Sequence, residues 1–350
     1  MKRKQNNLLG IFRFSIFLTV ILAGVTFWQL SWQGLWLFFV LLILEVTFSF
    51  DNAVVNSRTL ASMSLIWQRI FLTVGIFIAV FAVRFLLPIV IVIFASGLNF
   101  GEVVNMALNN PERYGHVLHD ASPMINAFGG IFLLMIGLSY FVDYNKQIHW
   151  VRSVEPWLAR AGKFENFRAC LILLVMVVLY FTVEEKHKAM ILISSVLGIL
   201  LHIGLELFGS LFGSHSSKDI KLKTGWAAFA AFLYLEVLDA SFSFDGVIGA
   251  FAITSSVILI TSGLSAGAIW VRSLTIYLMR SGTLSKYRYL EHGAHWAIVA
   301  LGIMMLFKLF HVELPEWITG SLGLAFIILA ITSSVIEARH VKNTKNLQSS

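Results

Sequence analysis

Five carboxylic acids stand in otherwise apolar stretches of the sequence, and they are the residues best suited to chemistry. They are Glu45, Asp51, Glu236, Asp239 and Asp245. A carboxylate inside a membrane span costs about 2.5–3.5 kcal/mol unless a partner balances it. Arg84 and Arg272, in neighbouring apolar stretches, can neutralise two of the five. The excess of acids predicts a bound cation or bound protons, and an ion-pair network with the two arginines is the alternative.

Most of these acids belong to a motif that occurs twice. Residues 44–54 (LEVTFSFDNAV) align without gaps on residues 238–248 (LDASFSFDGVI). Each copy holds an acid, then Ser-Phe-Asp, then Asn52 or Gly246. The next apolar stretch repeats as well, because residues 75–84 and 263–272 both begin with Gly and close in Val-Arg. The pattern predicts two related units of structure.

The oxygen-rich motif determines which cation it suits. Carboxylates, amide oxygens and hydroxyls are hard ligands that favour Mg²⁺, Ca²⁺ or Mn²⁺. The single cysteine, Cys170, excludes a thiolate cluster within one chain. We predict a divalent-cation site and no tightly bound cofactor. The predicted ligands are Glu45, Asp51, Asn52, Glu236, Asp239 and Asp245, supported by Ser49, Ser243, Gly246, Arg84 and Arg272.

Helical geometry adds an expectation about the backbone. Glu45, Ser49 and Asn52 share one face of an ideal helix, whereas Asp51 lies about 120° away from that face. Both acids of a copy can converge if the helix unwinds near Asn52 and Gly246, since Asn and Gly tolerate irregular backbone. We therefore expect broken helices at these two positions, as in many transporters.

The elements that position the motif are predicted to be membrane-spanning helices. The chain of 350 residues is 58% hydrophobic and 13% charged, with a mean hydropathy of +0.81. Soluble proteins carry about 25% charged residues, so the composition favours an all-α polytopic membrane protein whose partner is the lipid bilayer. Ten spans are predicted, at 11–30, 35–55, 70–96, 125–142, 169–183, 189–208, 226–251, 262–280, 294–310 and 317–336.

The distribution of Lys and Arg supports this map. With ten spans, nearly all of them fall in loops on one side, which the positive-inside rule makes cytoplasmic, and both termini lie there. The high pI of about 9.5 is explained by these loops, so no nucleic acid partner is expected. The first span is predicted to be retained, although it resembles a signal peptide.

An inverted repeat follows from the span count. Five spans separate the starts of the second and seventh helices, so the two motif copies enter the membrane from opposite sides, an arrangement typical of secondary transporters. The predicted divisions are 1–34 (N-terminal transmembrane helix), 35–142 (first three-helix repeat), 143–225 (cytoplasmic loop, linking helix pair and second loop), 226–310 (second three-helix repeat) and 311–350 (final helix and cytoplasmic tail).

At these residues the chain resembles the TerC family of bacterial integral membrane proteins, in particular its longer branch. The matching pieces are 45–52, 239–246, the helices of Arg84 and Arg272, and 291–295 (EHGAH), within a similarity that covers roughly residues 35–310. That family lies near the lysine-exporter superfamily and includes manganese exporters. The resemblance implies Mn²⁺ efflux across the bacterial inner membrane, and it carries over Glu45, Asp51, Asn52, Asp239 and Asp245. Gly246 departs from it by removing one potential ligand.

The leading hypothesis is a secondary transporter that exports Mn²⁺ or a related cation, with protons as a candidate coupling ion. The alternatives are a membrane-embedded metal-dependent enzyme acting on lipid, a non-transporting stress-response scaffold, and an amino-acid exporter that uses an arginine. The chain has no HExxH or phosphate-loop motif, and its one GxSxG match, residues 263–267, lies inside an apolar stretch, so the chain is not expected to be an enzyme.

Three smaller groups have ordinary structural explanations beside functional ones. Glu291, His292 and His295 have metal-ligand spacing. His116, His119 and Asp120 could form a second site in the loop 97–124, and His202 with Glu206 a proton relay. Interfacial packing, a solvated loop and a simple hydrogen-bonded pair are the respective alternatives.

Overall fold

A computed structural model describes residues 9–164, 166–212, 222–251, 253–310, 312 and 316–348. The described chain is helical, apart from an isolated bridge between Met63 and Lys223. Eight of its helices are long and apolar enough to cross a membrane. The predicted all-α, polytopic membrane class is therefore confirmed, whereas the exact number of spans stays a prediction.

The helices follow one another in the order α1 (Leu9–Phe48), α2 (Phe50–Ala61), α3 (Leu65–Phe77), a π-helical segment (Ile78–Leu86), α4 (Leu87–Ser96), α5 (Phe100–Asn109), α6 (Pro111–Asp120), α7 (Ser122–Phe141), α8 (Glu155–Ala161), α9 (Phe167–Thr182), α10 (Glu185–Phe212), α11 (Gly225–Phe251), α12 (Val257–Ser281), α13 (Thr283–Lys286), α14 (Leu290–Lys308) and α15 (Glu316–Gln348). Each predicted span overlaps one of these elements. Helix α15 continues past Arg339, where a polar tail was expected.

Helix α1 folds back on itself at Ser31, whose backbone is not helical (φ 57°, ψ −157°). Both halves of α1 contact α12. In the first half, Thr19 accepts a 2.9 Å hydrogen bond from the Trp270 indole. In the second half, the carbonyl oxygen of Leu42 would lie 3.0 Å from a Cβ atom on Gly267. A straight helix would separate residues 19 and 42 by about 35 Å, yet their partners are one turn apart on α12. The two halves of α1 therefore lie side by side, as the separate predicted spans 11–30 and 35–55 require.

The chain divides into two compact units. Unit 1 comprises residues up to Ile125 together with Ile203–Arg280, and unit 2 comprises Asn126–His202 together with the residues from Ser281 onward. The first two helices of each predicted repeat thus lie in unit 1. The third helices, α7 and α14, lie in unit 2, apart from the first turn of α7.

Two short helices occupy the loop predicted at 97–124. Asn99 and Glu102 form a capping box at the start of α5, and the Asn110 side chain accepts a hydrogen bond from the Arg113 N–H at the start of α6. Their apolar faces, which include Met106 and Leu118, are buried in the core of unit 1. The expectation of a plain loop is wrong because local caps and a buried face favour helix.

In unit 2, α7 packs closely on α14 through a pair of glycines. If Gly130 carried a Cβ atom, it would lie 3.0 Å from the carbonyl oxygen of Gly302. A Cβ atom on Gly302 would likewise lie 3.0 Å from the carbonyl oxygen of Gly130. Neither position can hold a side chain without moving the helices apart. Small residues at such crossings are typical of membrane helices.

Large apolar side chains cover much of the outer surface. Trp28 is 84% exposed, Phe94 79% and Phe181 75%. Soluble monomers rarely expose apolar surface on this scale. These helices are built to contact lipid, which agrees with the predicted bilayer environment.

Candidate ion site

Four of the five predicted acids are described as buried in unit 1, on the helices that carry the two motif copies. Glu45 is in the last turn of α1, Asp51 and Asn52 are in the first turn of α2, and Glu236 and Asp239 are on α11. Asp245 is also on α11, but its side chain lies outside the described residues. Ser49, Ser243 and Gly246 are buried as well.

Arg272 on α12 neutralises the acids of α11. Its guanidinium forms a bidentate pair with Glu236, with hydrogen bonds of 2.9 and 2.8 Å, and a further 3.2 Å contact with Asp239. It also donates to the Phe71 carbonyl at 3.2 Å and lies 4.4 Å from the centre of the Phe71 ring. Such bidentate, desolvated pairs are strong and geometrically specific.

Arg84 forms the corresponding pair in the first copy. Its Nη2 donates to Oε1 of Glu45, which also accepts a 3.0 Å hydrogen bond from Ser49. Arg84 lies in the π-helical segment Ile78–Leu86, and its Nη1 donates to the Ala79 carbonyl at 3.0 Å. Pro88, two residues after the end of this segment, has no backbone N–H to donate to the preceding turn, which accounts for irregular backbone there.

The two motif copies also contact each other reciprocally. The Asn52 amide donates a 2.9 Å hydrogen bond to Oδ1 of Asp239. At the aligned position of the other copy, a Cβ on Gly246 would lie 3.3 Å from Oε2 of Glu45. Asn52 and Gly246 occupy the same position in the two copies, directly after the second acid of the motif. Each of them therefore lies close to the first acid of the opposite copy.

Asp51 differs from the other described acids. It is 3% exposed and accepts a 2.9 Å hydrogen bond from the Asn52 backbone N–H. Among the described residues, no Lys or Arg forms a salt bridge with it. The two arginines are engaged by Glu45, Glu236 and Asp239, so Asp51 is the buried acid that they leave unbalanced.

The described acids do not form a ready-made metal cluster. Within the part of the chain that the structure describes, no three His, Cys, Asp or Glu side chains lie close enough to hold an ion. The structure brings Glu236 and Asp239 together around Arg272 and places Glu45 on Arg84. A shared ligand set would need these arginines to move or Asp245 to contribute.

The expected unwinding near Asn52 and Gly246 is wrong. Helix α11 runs from Gly225 to Phe251 without a break, and α2 is helical through Asn52. The irregularity of the first copy is at Ser49, between α1 and α2, where φ is −101° and ψ is 15°. Backbone hydrogen bonds continue on both sides of it, from Ser49 to Glu45 and from Ala53 to Ser49. Because these bonds are kept, there is no local gain from unwinding.

Sequence reasoning missed the buried polar residues further along α2. Asn56 is 3% exposed and Ser57 is fully buried. The signal was available, because Asn56 follows Asn52 by four residues and so lies on the same face. The predicted span ends at residue 55, so Asn56 and Ser57 fall outside it.

The sequence analysis also missed one buried acid, Glu155, which lies at the start of α8 in unit 2. It lies 2.8 Å from Nδ1 of His292 and accepts hydrogen bonds from Trp296 at 2.9 Å and from the Trp150 backbone at 2.9 Å. Burial raises the pKa of Glu155, but these hydrogen bonds and the charge of His292 together bring it down to about 2. Glu155 therefore ties α8 to α14.

The smaller predicted groups do not form ligand sets. His292 binds Glu155, while His295 contacts the Glu291 carbonyl at 2.8 Å and stacks on Tyr140. Nε2 of His202 lies 3.2 Å from Oγ of Ser139. On α6, the residues His116, His119 and Asp120 are all exposed.

Comparisons with known proteins agree with a membrane protein. A protein family described as "protein of unknown function (DUF475)" matches residues 50–341. The uncharacterized membrane protein RP786 of Rickettsia prowazekii (strain Madrid E) is 24% identical over 140 residues, which are 39% of this chain and 44% of that protein. The chain therefore matches less than half of that relative's length. No solved structure matches.

Proposed function

The chain belongs to the DUF475 family, and from this premise we propose that it is a secondary transporter exporting a divalent cation, with Mn²⁺ as the first candidate. The observation that carries the proposal is Asp51, a buried acid with no cationic partner among the described residues. A charge left unpaired inside a protein is strongly destabilising. A transported cation, or a proton in its absence, would balance it.

The arginines have a defined part in this proposal. Arg84 and Arg272 are 3% exposed and pair with the first acid of each motif copy, Glu45 and Asp239. In the cation-free state they act as internal counter-charges. Cation binding at Asp51 and Asp245 would compete with these pairs for Glu45 and Asp239, which couples ion occupancy to the packing of α1 and α12.

The reciprocal contacts support an inverted repeat. Arg84 pairs with Glu45 as Arg272 pairs with Asp239, and Asn52 approaches Asp239 as Gly246 approaches Glu45. In transporters with inverted repeats, the site lies at the repeat interface near the bilayer midplane, and one repeat rocks against the other. With ten spans, the two repeats have opposite orientations in the membrane, which such a mechanism requires.

The preference for Mn²⁺ rests on ligand chemistry and on the TerC resemblance. Carboxylate and amide oxygens are hard ligands, which Mn²⁺ shares with Mg²⁺ and Ca²⁺. Protons are the proposed coupling ion, because a carboxylate that releases its cation can be neutralised by protonation. The Lys and Arg distribution supports insertion in the bacterial inner membrane with both termini cytoplasmic.

Metal tolerance in cells tests the proposal. Cells that express the wild-type protein should accumulate less Mn²⁺ and tolerate more of it than cells that express Asp51→Asn or Asp245→Asn. Asp120→Asn, which changes an exposed acid on α6, is the matched control and should behave as the wild type. Equal tolerance in all four strains, at equal protein abundance, would contradict the site assignment.

Two other functions make different predictions. A membrane-embedded enzyme would turn over lipid phosphates in detergent, with no dependence on a sealed membrane. A stress-response scaffold would keep its activity when the acids and their arginines are neutralised together. The transporter requires both the acids and a compartment, so vesicle experiments separate the three.

A further inference from the structure

Helix α2 carries four buried polar residues, which we call the polar track. Asp51 and Asn52 are in its first turn, and Asn56 and Ser57 follow in the next turn, all of them at most 3% exposed. Arg58, the next residue, is exposed. The track extends for about 10 Å along the helix axis from Asp51 to Arg58, and Asn52 and Asn56 share one face of the helix, from which Asp51 and Ser57 are rotated about 100–140° around the axis.

The amide oxygens of this track have no hydrogen-bond partner within the part of the chain that the structure describes. They are Oδ1 of Asn52 and Oδ1 of Asn56, and both are buried. A buried unsatisfied polar atom costs about 1–3 kcal/mol and requires an explanation. Because the two residues are four apart, their side chains lie on one face of α2, one turn from each other.

The aligned helix of the other copy lacks this track. Asn52 corresponds to Gly246 in the gap-free alignment, and extending that alignment by two residues pairs Asn56 with Ala250. Gly246 and Ala250 are buried, as their counterparts are, but they carry no polar side-chain atom. The polar face is thus a property of the first copy and not of the repeat as such.

We propose that the Asn52–Asn56 face of α2 lines the cytoplasmic access path along which a hard cation reaches Asp51. Amide oxygens suit such a cation because they can replace part of its hydration shell without adding charge. The side of the path follows from Arg58 and Arg69, which flank the end of α2 and are predicted to be cytoplasmic. The inference rests on the proposed transport function and specifies the route of loading.

Cysteine accessibility tests the path without measuring transport. Cys170 is the chain's single cysteine and is exposed, so Cys170→Ser provides the background. In this background Asn56→Cys and Ser57→Cys are placed on the track, and Ala250→Cys is the matched control on α11. The probe is the membrane-impermeant reagent sulfonatoethyl methanethiosulfonate, applied to inside-out vesicles that expose the cytoplasmic face.

We expect Asn56→Cys to react at least about tenfold faster than Ala250→Cys, because reactivity follows access to water. Millimolar MnCl₂ should slow this reaction. Ser57→Cys is nearly isosteric and gives the same readout if Asn56→Cys does not reach the membrane. Equal rates at the α2 and α11 positions, or no reaction on α2, would overturn the path.

The two proposals can fail separately. If the α2 cysteines stay unreactive while Mn²⁺ tolerance depends on Asp51, transport stands and this route is wrong. If they react while Asp51→Asn leaves tolerance unchanged, water reaches α2 but the cation assignment falls with the transport function.

Discussion

Asn52 on α2 donates a 2.9 Å hydrogen bond to Asp239 on α11, so the two motif copies are in direct contact although 187 residues separate them in the sequence. Asp239 is thereby held between Asn52 and Arg272. The contact makes the motif a single buried site in unit 1.

Loss of the Arg272 charge should destabilise the protein strongly. Arg272→Gln leaves Glu236 and Asp239 buried without their shared counter-charge, a change that costs about 3–5 kcal/mol. Arg288→Gln, which removes an exposed pair with Glu337, should have little effect. Thermal unfolding in detergent measures both. Equal melting temperatures for the two variants would contradict the structural role of Arg272, and Arg272→Gln/Glu236→Gln should recover part of the loss.

Two buried glycines at the site should respond differently to a methyl group. A Cβ on Gly75 would lie 2.6 Å from Oε1 of Glu236 and still closer to Arg272, so Gly75→Ala must break or shift that pair. Gly246→Ala meets only Oε2 of Glu45, at 3.3 Å, where a small side-chain movement suffices. We expect Gly75→Ala to lower the melting temperature well below that of Gly246→Ala. The reverse order would show that the Arg272–Glu236 geometry is wrong.

Neutralising Asp51 should leave the stability of the ion-free protein nearly unchanged, because a proton balances this acid when no cation is bound. Glu45→Gln, by contrast, removes the carboxylate that pairs with the buried Arg84. In EDTA, Asp51→Asn should therefore melt close to the wild type and Glu45→Gln at a lower temperature. Added MnCl₂ should raise the melting temperature of the wild type but not that of Asp51→Asn, because binding stabilises only a protein with a site. A lower melting temperature for Asp51→Asn in EDTA would be the contrary result.

Glu155 should make stability depend on acid pH. Its pKa in the folded protein is about 2, below its ordinary value of 4.5, so its stabilisation is complete above about pH 4.5 and is lost as the pH falls toward 2. Glu155→Gln should reduce the free energy of unfolding at pH 7 by about 1–3 kcal/mol, and the stability of this variant should fall less steeply at acid pH than that of the wild type. Melting temperatures between pH 7 and pH 3 measure the effect. The exposed Glu185→Gln is the control and should retain the wild-type profile.

The fold of α1 predicts that Ser31 and its neighbours face the side opposite to both termini. Gln33 is exposed next to the turn, and Asn145 is exposed in the predicted cytoplasmic loop. In the Cys170→Ser background, Gln33→Cys should react with an impermeant maleimide in intact cells, and Asn145→Cys should react after the cells are opened. Labelling of both positions from the same side would contradict the predicted topology.

Much of this architecture could be predicted because hydrophobic length and acid placement are local signals. The spans, the burial of Glu45, Asp51 and Asp239, and the involvement of both arginines follow from the cost of charge in apolar surroundings. The pairing of Arg272 with Glu236, at a spacing of 36 residues, needed only that the two helices be neighbours.

Other features depended on information that spacing does not carry. Glu155 and His292 are 137 residues apart, and nothing local to either indicates the other. The π-helical segment around Arg84 depends on competition between hydrogen-bond registers, for which Pro88 was the one local sign. The break at Ser49, in place of one at Asn52, likewise reflects packing and not residue preference.

Flux of Mn²⁺ through the purified protein tests the account most directly. Proteoliposomes loaded with a Mn²⁺-quenched dye should show uptake with the wild-type protein, faster when a pH gradient drives it, and Asp51→Asn should reduce the uptake to that of empty liposomes. Asp120→Asn, which changes an exposed acid on α6, should retain it. Uptake that is the same for the wild type, Asp51→Asn and protein-free liposomes would contradict transport, and equal uptake by the two proteins above that background would remove Asp51 from the site.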